Sequence, residues 1–245
     1  MTDADAAPCS VGVVVVAAGS GARLGAGVPK AFVRLRGRPL LAYAVDTVAR
    51  LSSLRSLVVV APPDHAAPHD QTHTLWDGVR LPPGAVVVPG GAQRSDSVAA
   101  GLAAVDPACD VVLVHDAARC LAPVELFDRV VEAVRSGAGG AVPGLPVVDT
   151  VKTVDAHGTI TGTPDRSTLR AVQTPQAFRR GVLVTAYASG LHATDDAALV
   201  ERCGHPVVVV EGDSRAFKVT TVADLEQADR LLAAGAVPST EDNVT

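Results

Sequence analysis

Lysine, aromatic side chains and long hydrophobic runs are all scarce in this chain of 245 residues. Lys30, Lys152 and Lys218 are its only lysines, so nearly all of its 21 basic residues are arginine. With one Trp, two Tyr and four Phe, the core has to be built from aliphatic side chains. No apolar run approaches the ~20 residues that a membrane-spanning helix needs, so we expect no membrane association.

The cysteines and the charge balance exclude further classes of protein. The four cysteines are far apart and form no C-x-x-C pair, which argues against a zinc site, a redox motif or a disulfide framework. The first ten residues contain no Lys or Arg and do not resemble a secretion signal. A net charge of −5 argues against the broad basic face of nucleic-acid binding but allows a local phosphate pocket. We therefore expect a cytoplasmic protein with no nucleic-acid partner.

Apolar strand patterns alternate with helical patterns along most of the chain. Residues 11–17 are a continuous apolar run, typical of a strand buried on both faces. Further short runs occur at 56–60, 85–88, 111–114, 141–142 and 207–210. Most of these runs are separated by segments in which apolar residues recur with helical spacing, as at Val98, Leu102 and Val105. The alternation predicts an α/β fold, a Rossmann-like, doubly wound, mostly parallel sheet with helices on both faces.

One segment interrupts this alternation. Residues 147–154 and 159–163 are rich in Thr and Val and flank His157-Gly158, a pattern that predicts a β-hairpin. We expect an inserted β-hairpin arm at about residues 146–166. An isolated hairpin is marginally stable in water, so the arm is expected to lie on something else, such as another subunit. The chain is otherwise interpreted as one domain at 11–235, with tails at 1–10 and 236–245.

A glycine-rich segment, AAGSGARLG, follows the first predicted strand at residues 17–25 and precedes Pro29-Lys30. Ligands of doubly wound sheets bind beyond the carboxyl ends of the strands, where glycines let backbone N–H groups approach phosphate oxygens. Arg23 and Lys30 add cations to this segment. It matches neither the Walker pattern nor the dinucleotide pattern G-x-G-x-x-G, because Leu24 holds the third glycine position. A nucleotide-phosphate loop of another kind is favoured over a merely flexible turn.

Two further polar segments follow predicted strands. GGAQRSDS at residues 90–97 opens a helix, where its N–H groups suit a base edge or a phosphate, although an ordinary N-cap explains it equally well. HDAAR at residues 115–119 ends an apolar strand, and a carboxylate there suits Mg²⁺. The alternative for Asp116 is a cap or an ion-pair partner of Arg119.

Two segments in the second half leave their interpretation open. Thr194-Asp195-Asp196 is typical of a helix N-cap with acids in the first turn. Lys218 is the only charge in the strand-like segment 217–220. It is either an exposed edge residue or a deliberate charge in a cleft.

Together these motifs resemble one family, the 2-C-methyl-D-erythritol 4-phosphate cytidylyltransferases of the non-mevalonate isoprenoid pathway. The resemblance extends from about Val11 to Leu232. Besides the segments above, it includes Asp149-Thr150-Val151-Lys152, Asp165-Arg166, Gln173-Thr174-Pro175-Gln176, Thr194-Asp195 and Lys218-Val219-Thr220. It implies a Mg²⁺-dependent reaction of CTP with methylerythritol 4-phosphate, which gives 4-diphosphocytidyl-2-C-methyl-D-erythritol and pyrophosphate.

The resemblance also implies roles for particular residues. Arg23 and Lys30 would hold the triphosphate and stabilise developing charge, and Arg166 and Lys218 would position the substrate phosphate. The residues implied to contact the nucleotide are Ala17, Ala18, Gly19, Gly21, Gly91, Ala92, Ser97 and Ala117. Those implied to lie near the substrate are Asp116, which would also lie by the metal, Arg119, Thr150, Thr174 and Thr194. The hairpin would be the dimerisation arm of a homodimer, carrying Thr150 and Arg166 towards the partner's site.

Two residues depart from the family pattern, and other functions compete. Cys120 stands where the family commonly has proline, and Ala92 replaces an acidic residue. The nearest rival is a ribitol-5-phosphate cytidylyltransferase, which shares the fold and most of the motifs. A non-catalytic nucleotide-sensing module is disfavoured by the intact site cations. An NAD(P)-dependent oxidoreductase is disfavoured by the displaced third glycine.

We predict that Lys30→Ala and Arg23→Ala each lower kcat about 10²–10³-fold, because a preorganised group that stabilises developing charge is lost. Pyrophosphate release from CTP measures kcat, and circular dichroism checks that the variants are folded. Near-normal turnover in either variant would contradict the role assigned to that residue.

Overall fold

The computed structural model describes residues 9–19, 27–66, 75–76 and 78–235. Within them the strands are β1 (Val11–Val16), β2 (Arg34–Leu35), β3 (Arg38–Pro39), β4 (Leu54–Ala61), β5 (Leu75–Trp76), β6 (Val79–Arg80), β7 (Val86–Pro89), β8 (Val111–Asp116), β9 (Gly140–Pro146), β10 (Thr153–Val154), β11 (Ile160–Gly162), β12 (Arg170–Val172), β13 (Gln176–Arg179) and β14 (Val207–Glu211). The α-helices are α1 (Leu40–Val48), α2 (Arg94–Ala104), α3 (Val124–Arg135), α4 (Arg180–Ala188), α5 (Asp196–Arg202) and α6 (Val222–Ala233). Gly21 and Arg23, both predicted site residues, lie outside the described residues.

A mostly parallel sheet forms the centre of the described structure, which confirms the predicted fold class. Its strand order is β12-β9-β13-β8-β1-β4-β7, and β14 also pairs with β9. Strands β8, β1, β4 and β7 are parallel neighbours, and β14 is parallel to β9. Strand β13 is antiparallel to both β8 and β9, and β12 is antiparallel to β9. The sequence patterns did not predict this antiparallel insertion.

Aliphatic side chains bury both faces of the sheet, as the scarcity of aromatic residues requires. Successive residues of a strand point to opposite faces. Val13 and Val15 therefore pack in one core cluster with residues of α1 and α3, whereas Val14 packs in another with residues of α2, α4 and α5. Helices on both faces make the sheet doubly wound.

Helix α2 approaches the sheet closely at Gly101. A Cβ atom built on this glycine would lie 2.4 Å from Cγ1 of Val14 and 2.8 Å from Cγ2 of Val60, too close for any real contact. The missing side chain lets the helix lie directly on β1 and β4. As a result, the N-terminal residues of α2 reach the edge where those strands end.

A β-hairpin lies within the range predicted for the arm, and its strands are shorter than the sequence pattern suggested. Its β10 and β11 pair antiparallel within the predicted range 146–166. The side chains of Val154 and Ile160 are 57% and 60% exposed. Lys152 donates from Nζ to Oγ1 of Thr163 at 2.7 Å, so this lysine packs within the arm.

The strand-like segment at 217–220 is not a strand. Its backbone is irregular between Ser214–Ala216, a 3₁₀ turn, and α6. The N–H of Val219 donates to the carbonyl of Ala118 at 2.9 Å, so the segment is tied to the residues that follow β8. This corrects the edge-strand alternative for Lys218, because the lysine sits on a loop beside the end of β8.

The cysteines have no covalent partners, and Cys120 is one of those that are buried. All four cysteines are free thiols, as expected. Cys120, at the position where the family commonly has proline, is buried, and burial raises the pKa of its thiol to about 12. It therefore behaves as a small hydrophobic side chain.

Within the described ranges, no helix is both long and apolar enough to cross a membrane.

We predict that Gly101→Ala lowers the free energy of unfolding, although alanine favours helix formation over glycine by about 1 kcal/mol. Overpacking a core costs about 1–3 kcal/mol, and the new methyl group would meet two buried valines. Gly181→Ala in α4 is the matched control, because nothing lies within 4 Å of its Cβ position. Urea unfolding measures both variants. A Gly101→Ala protein as stable as the control would contradict the close approach of α2.

Candidate active site

A pocket of about 520 Å³ lies at the edge of the sheet where β1, β4, β7 and β8 end. Parallel strands place their carboxyl ends at the same edge, which is where doubly wound sheets bind ligands. The described residues that line the pocket are Val16, Ala17, Ala18, Gly19, Lys30, Ala31, Gly91, Ala92, Gln93, Arg94, Ser97, Asp116, Ala117, Ala118, Lys218 and Thr220. The pocket thus brings together the three segments that follow predicted strands, and Lys218 as well.

The first wall is the chain that leaves β1. Ala17 donates its N–H to the carbonyl of Val60, which continues the strand pairing to the pocket edge. After the undescribed residues the chain returns, and the N–H of Lys30 donates to the carbonyl of Gly19 at 3.3 Å. This bond places Lys30 beside residues 17–19 in the lining of the pocket.

The second wall is the turn between β7 and α2. A Cβ atom on Gly90 would lie 2.4 Å from that of Ala18, so glycine is needed for the turn to pack against the first wall. The N–H of Gly91 donates to Oγ of Ser97 at 3.2 Å, and that hydroxyl donates to the carbonyl of Gln93 at 3.1 Å. Asp96 accepts from the N–H of Gln93 at 3.0 Å. The segment therefore caps α2, with Gln93 as the N-cap residue, and it also lines the pocket; its contact with a base edge or a phosphate stays a prediction.

Asp116 is the buried charge at the centre of the site. Its Oδ2 lies 2.7 Å from Nζ of Lys218, and its Oδ1 lies 3.4 Å from Nε of Arg94. Burial opposes ionisation of the carboxyl, but the charges of Arg94 and Lys218 outweigh it and lower its pKa to about 2. Asp116 is therefore an anion at neutral pH. Its ion-pair partners among the described residues are Lys218 and Arg94, and the predicted alternative partner Arg119 forms no such pair with it.

His115 and Thr174 support the backbone at Asp116. The N–H of Asp116 donates to Oγ1 of Thr174 at 3.0 Å, and that hydroxyl lies 3.2 Å from Nδ1 of His115. Because the threonine oxygen accepts from the backbone, its own proton is available to Nδ1. His115 is fully buried against Phe127, and burial lowers its pKa to about 4. It is thus a neutral structural histidine.

Arg119 connects the end of β12 to the turn before Lys218. Its Nη1 donates to the carbonyl of Ala216 at 2.7 Å, and its Nη2 donates to the carbonyl of Val172 at 3.3 Å. Burial lowers the pKa of this guanidinium, and Asp116 partly opposes the effect. Arg119 therefore positions the segment that carries Lys218.

The remaining predicted residues do not line the pocket of their own chain. Thr150 and Arg166 are exposed on the arm, where Nη1 of Arg166 donates to the carbonyl of Val148. Thr194 is exposed before α5, and buried Thr174 lies behind Asp116. None of these four described residues lines the pocket, so their predicted contacts with substrate stay predictions.

Arg94 is the main residue of the pocket that the sequence analysis left without a role. It is the first residue of α2, and its side chain is 32% exposed. A cation in the first turn of a helix is disfavoured by the helix dipole. That unfavourable placement, directly after a Gly-Gly turn, is the sequence signal that would have indicated a site residue.

Comparison with known proteins assigns the family. Residues 11–234 match the sequence profile of 2-C-methyl-D-erythritol 4-phosphate cytidylyltransferase. The chain belongs to this family. The resemblance drawn from the motifs is thereby confirmed, and the oxidoreductase alternative is not supported.

Individual members of the cytidylyltransferase family match most of the chain. The protein of that name from Nocardia farcinica is 50% identical over 234 residues, which cover 95% of this chain and 97% of that protein. The bifunctional enzyme IspD/IspF of Clavibacter michiganensis is 53% identical over 226 residues, but the match covers only 54% of its length. The chain thus spans about half of that longer relative.

Solved structures of the family share the fold. The crystal structure of the 2-C-methyl-D-erythritol 4-phosphate cytidylyltransferase of Thermus thermophilus has a TM-score of 0.73 at 37% identity, covering 91% of this chain and 99% of that one. The 4-diphosphocytidyl-2C-methyl-D-erythritol synthase of Anaerococcus prevotii has a TM-score of 0.77 at 30% identity, covering 93% and 100%. The fold described above, including its antiparallel strands, is thus similar over most of its length to solved structures of the family.

We predict that the free energy of unfolding falls as the pH is lowered from about 6.5 to 4. Over this range His115 binds a proton in the unfolded chain but stays neutral in the folded chain. The folded pKa lies below the unfolded one, so the stability is present above pH 6.5 and is lost towards pH 4. One such proton contributes a slope of about 1.4 kcal/mol per pH unit. Urea unfolding of His115→Asn should give a shallower slope than wild type. Exposed His157→Asn is the control, and equal slopes in all three proteins would contradict the prediction.

Proposed function

We propose that this chain transfers the cytidylyl group of CTP to 2-C-methyl-D-erythritol 4-phosphate, in the non-mevalonate route to isoprenoid precursors. The observation that carries the proposal is the pocket at the carboxyl edge of the sheet, in a chain that belongs to the family of that name. Its described lining contains Lys30, Arg94 and Lys218 against the single carboxylate of Asp116. These lining cations favour a polyanionic ligand despite the net charge of −5, although Asp196, which does not line the pocket, also pairs with Arg94.

The proposed reaction is a displacement at phosphorus. A phosphate oxygen of the sugar alcohol attacks the α-phosphorus of CTP, and the bond from that phosphorus to the bridging oxygen of the β-phosphate breaks. Pyrophosphate leaves with the electron pair. The attacking phosphate monoester has a second pKa of about 6, so it is mostly a dianion at neutral pH and needs no general base. The protein therefore has to supply cations and positioning.

The cations of the pocket are suited to that demand. Lys30, with Arg23 from the same glycine-rich segment, is proposed to hold the triphosphate and to stabilise the charge that develops during attack. Lys218 is 41% exposed while it contacts Asp116, so its ammonium group has room to turn to the phosphate of the acceptor. Arg166 is proposed to bind that same phosphate. Residues 17–19 and the turn at Gly91 and Ser97 are proposed to contact the cytidine.

Mg²⁺ is the proposed cofactor, and the residues present fit a metal held largely by the substrate. Among the described residues, no group of three or more His, Cys, Asp or Glu side chains forms a complete metal site. Mg²⁺ in nucleotide sites is commonly bound through one or two carboxylates and the substrate phosphates. Asp116, ionised and facing the pocket, would supply that carboxylate. When bound, the metal would neutralise phosphate charge.

The arm is proposed to form a homodimer, and the protein is proposed to be cytoplasmic. The exposed Val154 and Ile160 offer the apolar surface that a partner would cover. In such a dimer, Thr150 and Arg166 would reach the pocket of the other subunit, which accounts for their distance from the pocket of their own. The four free thiols suit a reducing compartment.

Pyrophosphate release tests the proposed function. Purified protein with Mg²⁺ is given CTP and either 2-C-methyl-D-erythritol 4-phosphate or ribitol 5-phosphate, and CTP is then replaced by ATP, GTP or UTP. We expect release with CTP and methylerythritol phosphate. Release with ribitol 5-phosphate alone would support the rival cytidylyltransferase, and no release with any pair would support a nucleotide-sensing module.

Subunit mixing tests the arm. We predict that Lys30→Ala and Arg166→Ala proteins, each with low activity, regain activity when they are unfolded and refolded together. Half of the dimers would then be mixed and would hold one intact site each, which gives about a quarter of wild-type activity. Lys30→Ala mixed with Lys218→Ala is the control, because both residues line the pocket of one chain and no site is restored. Equal activity in both mixtures would contradict an arm that serves the partner's site.

A further inference from the structure

Asp196 is buried in a way that its place in a helix does not explain. Acids in the first turn of a helix are usually exposed and act through the helix dipole. The neighbouring Asp195 already caps α5, since its side chain accepts from the N–H of Ala198 at 2.9 Å. Asp196 follows the cap, yet it is only 1% exposed. A carboxylate so deeply buried needs charged or hydrogen-bonding partners.

Three helices on one face of the sheet meet at this carboxylate. Nη2 of Arg94, at the start of α2, lies 2.8 Å from Oδ2 of Asp196. The hydroxyl of Tyr187, near the end of α4, donates to Oδ1 of Asp196 at 2.5 Å. Oδ1 therefore accepts a hydrogen bond from Tyr187, and Oδ2 forms an ion pair with the guanidinium of Arg94 without a well-directed hydrogen bond. Burial disfavours the charge of Arg94, but Asp196 and Asp116 outweigh that effect and raise its pKa.

We propose that Asp196 and Tyr187 are positioning residues of the pocket, which hold the guanidinium of Arg94 against the carboxylate of Asp116. Arg94 then has one neighbouring carboxylate buried behind it and another in the pocket lining. The proposal deepens the proposed function, on which its kinetic part rests.

Asp196 and Tyr187 are needed at Arg94 because Asp116 is proposed to lose its contact with Lys218 during the reaction. Among the residues that the structure describes, two cations pair with Asp116, and Lys218 is the one proposed to turn to the acceptor phosphate. Arg94 is then the described side chain that still pairs with this carboxylate, which is only 8% exposed and is also proposed to face the metal. An untethered arginine beside a triphosphate would itself be drawn to the phosphate oxygens. The buried pairing with Asp196 keeps Arg94 at Asp116 while Lys218 moves.

A double-mutant cycle separates this role from a structural one. We expect Asp196→Asn to lower kcat about 10- to 100-fold, as supporting partners of site residues commonly do, with KM for CTP nearly unchanged. In the Arg94→Ala background the same substitution should have little further effect on kcat, because its target is gone. An equal loss in both backgrounds would overturn the proposal.

Tyr187→Phe is the milder variant, should Asp196→Asn fold poorly. It removes one hydroxyl and keeps the ring, so we expect a smaller fall in kcat that also disappears in the Arg94→Ala background. Tyr43→Phe is the matched control, since that hydroxyl also makes one hydrogen bond, at 2.9 Å to the carbonyl of Leu35, away from the pocket. If Tyr187→Phe has the kinetics of Tyr43→Phe, the proposal is wrong.

A spectroscopic measurement tests, without relying on turnover, whether Asp196 and Tyr187 hold Arg94 in place. In protein labelled with ¹⁵N at arginine, the Nε–H signal of Arg94 is assigned from its loss in Arg94→Lys. Asp196→Asn and Tyr187→Phe should increase the mobility of that signal, and Tyr43→Phe should not. If wild type shows no turnover with CTP and methylerythritol phosphate, the proposed function fails, and the arginine signal then decides the anchoring. An unchanged signal in both variants would refute it.

Discussion

A carboxylate at the end of a fully buried strand has to be surrounded by cations, and the architecture of the pocket follows from this constraint. Strand β8 is buried throughout, and Asp116 is its last residue. Its negative charge is stabilised there by Lys218 and Arg94, which approach it from two separate parts of the chain. Each cation needs its own support. Arg119 ties down the turn before Lys218, and Asp196 holds Arg94 from behind.

The fold supplies that arrangement through close contacts between backbone segments. Parallel pairing brings the carboxyl ends of β1 and β8 to one edge, where Val16 and Asp116 are direct neighbours. Glycine at positions 90 and 101 allows the β7–α2 turn and helix α2 to lie directly on their neighbours. The start of α2 is thereby carried to within reach of Asp116. A side chain at either glycine would displace the helix that presents Arg94.

Much of the fold could be predicted from the periodicity of apolar residues. The elements that were missed or predicted wrongly have physical causes. The strand at 11–17 was readable because both faces are buried, which leaves an unbroken apolar run. Strand β13 was not, because it has only four residues, of which Gln176 and Arg179 are polar. Its pairing with β8 and β9 comes from tertiary contacts that outweigh local preference. The segment at 217–220 has a strand-like composition, yet it is a loop whose hydrogen bonds go to Ala118, Asp116 and Asp224 and not to the backbone of a neighbouring strand.

The sequence by itself determined the class of fold, the edge of the sheet at which the pocket lies, and the family, because local patterns and ordered motifs are written in consecutive residues. It also indicated the residues after each strand, since the carboxyl ends of parallel strands must converge. Only the tertiary structure decided which charges meet. The charges that meet lie on two helices, one strand and one loop, at Arg94, Asp196, Asp116 and Lys218. No spacing in the chain specifies how they pair. Ion pairing depends on distance and burial, and both are set when the helices pack on the sheet.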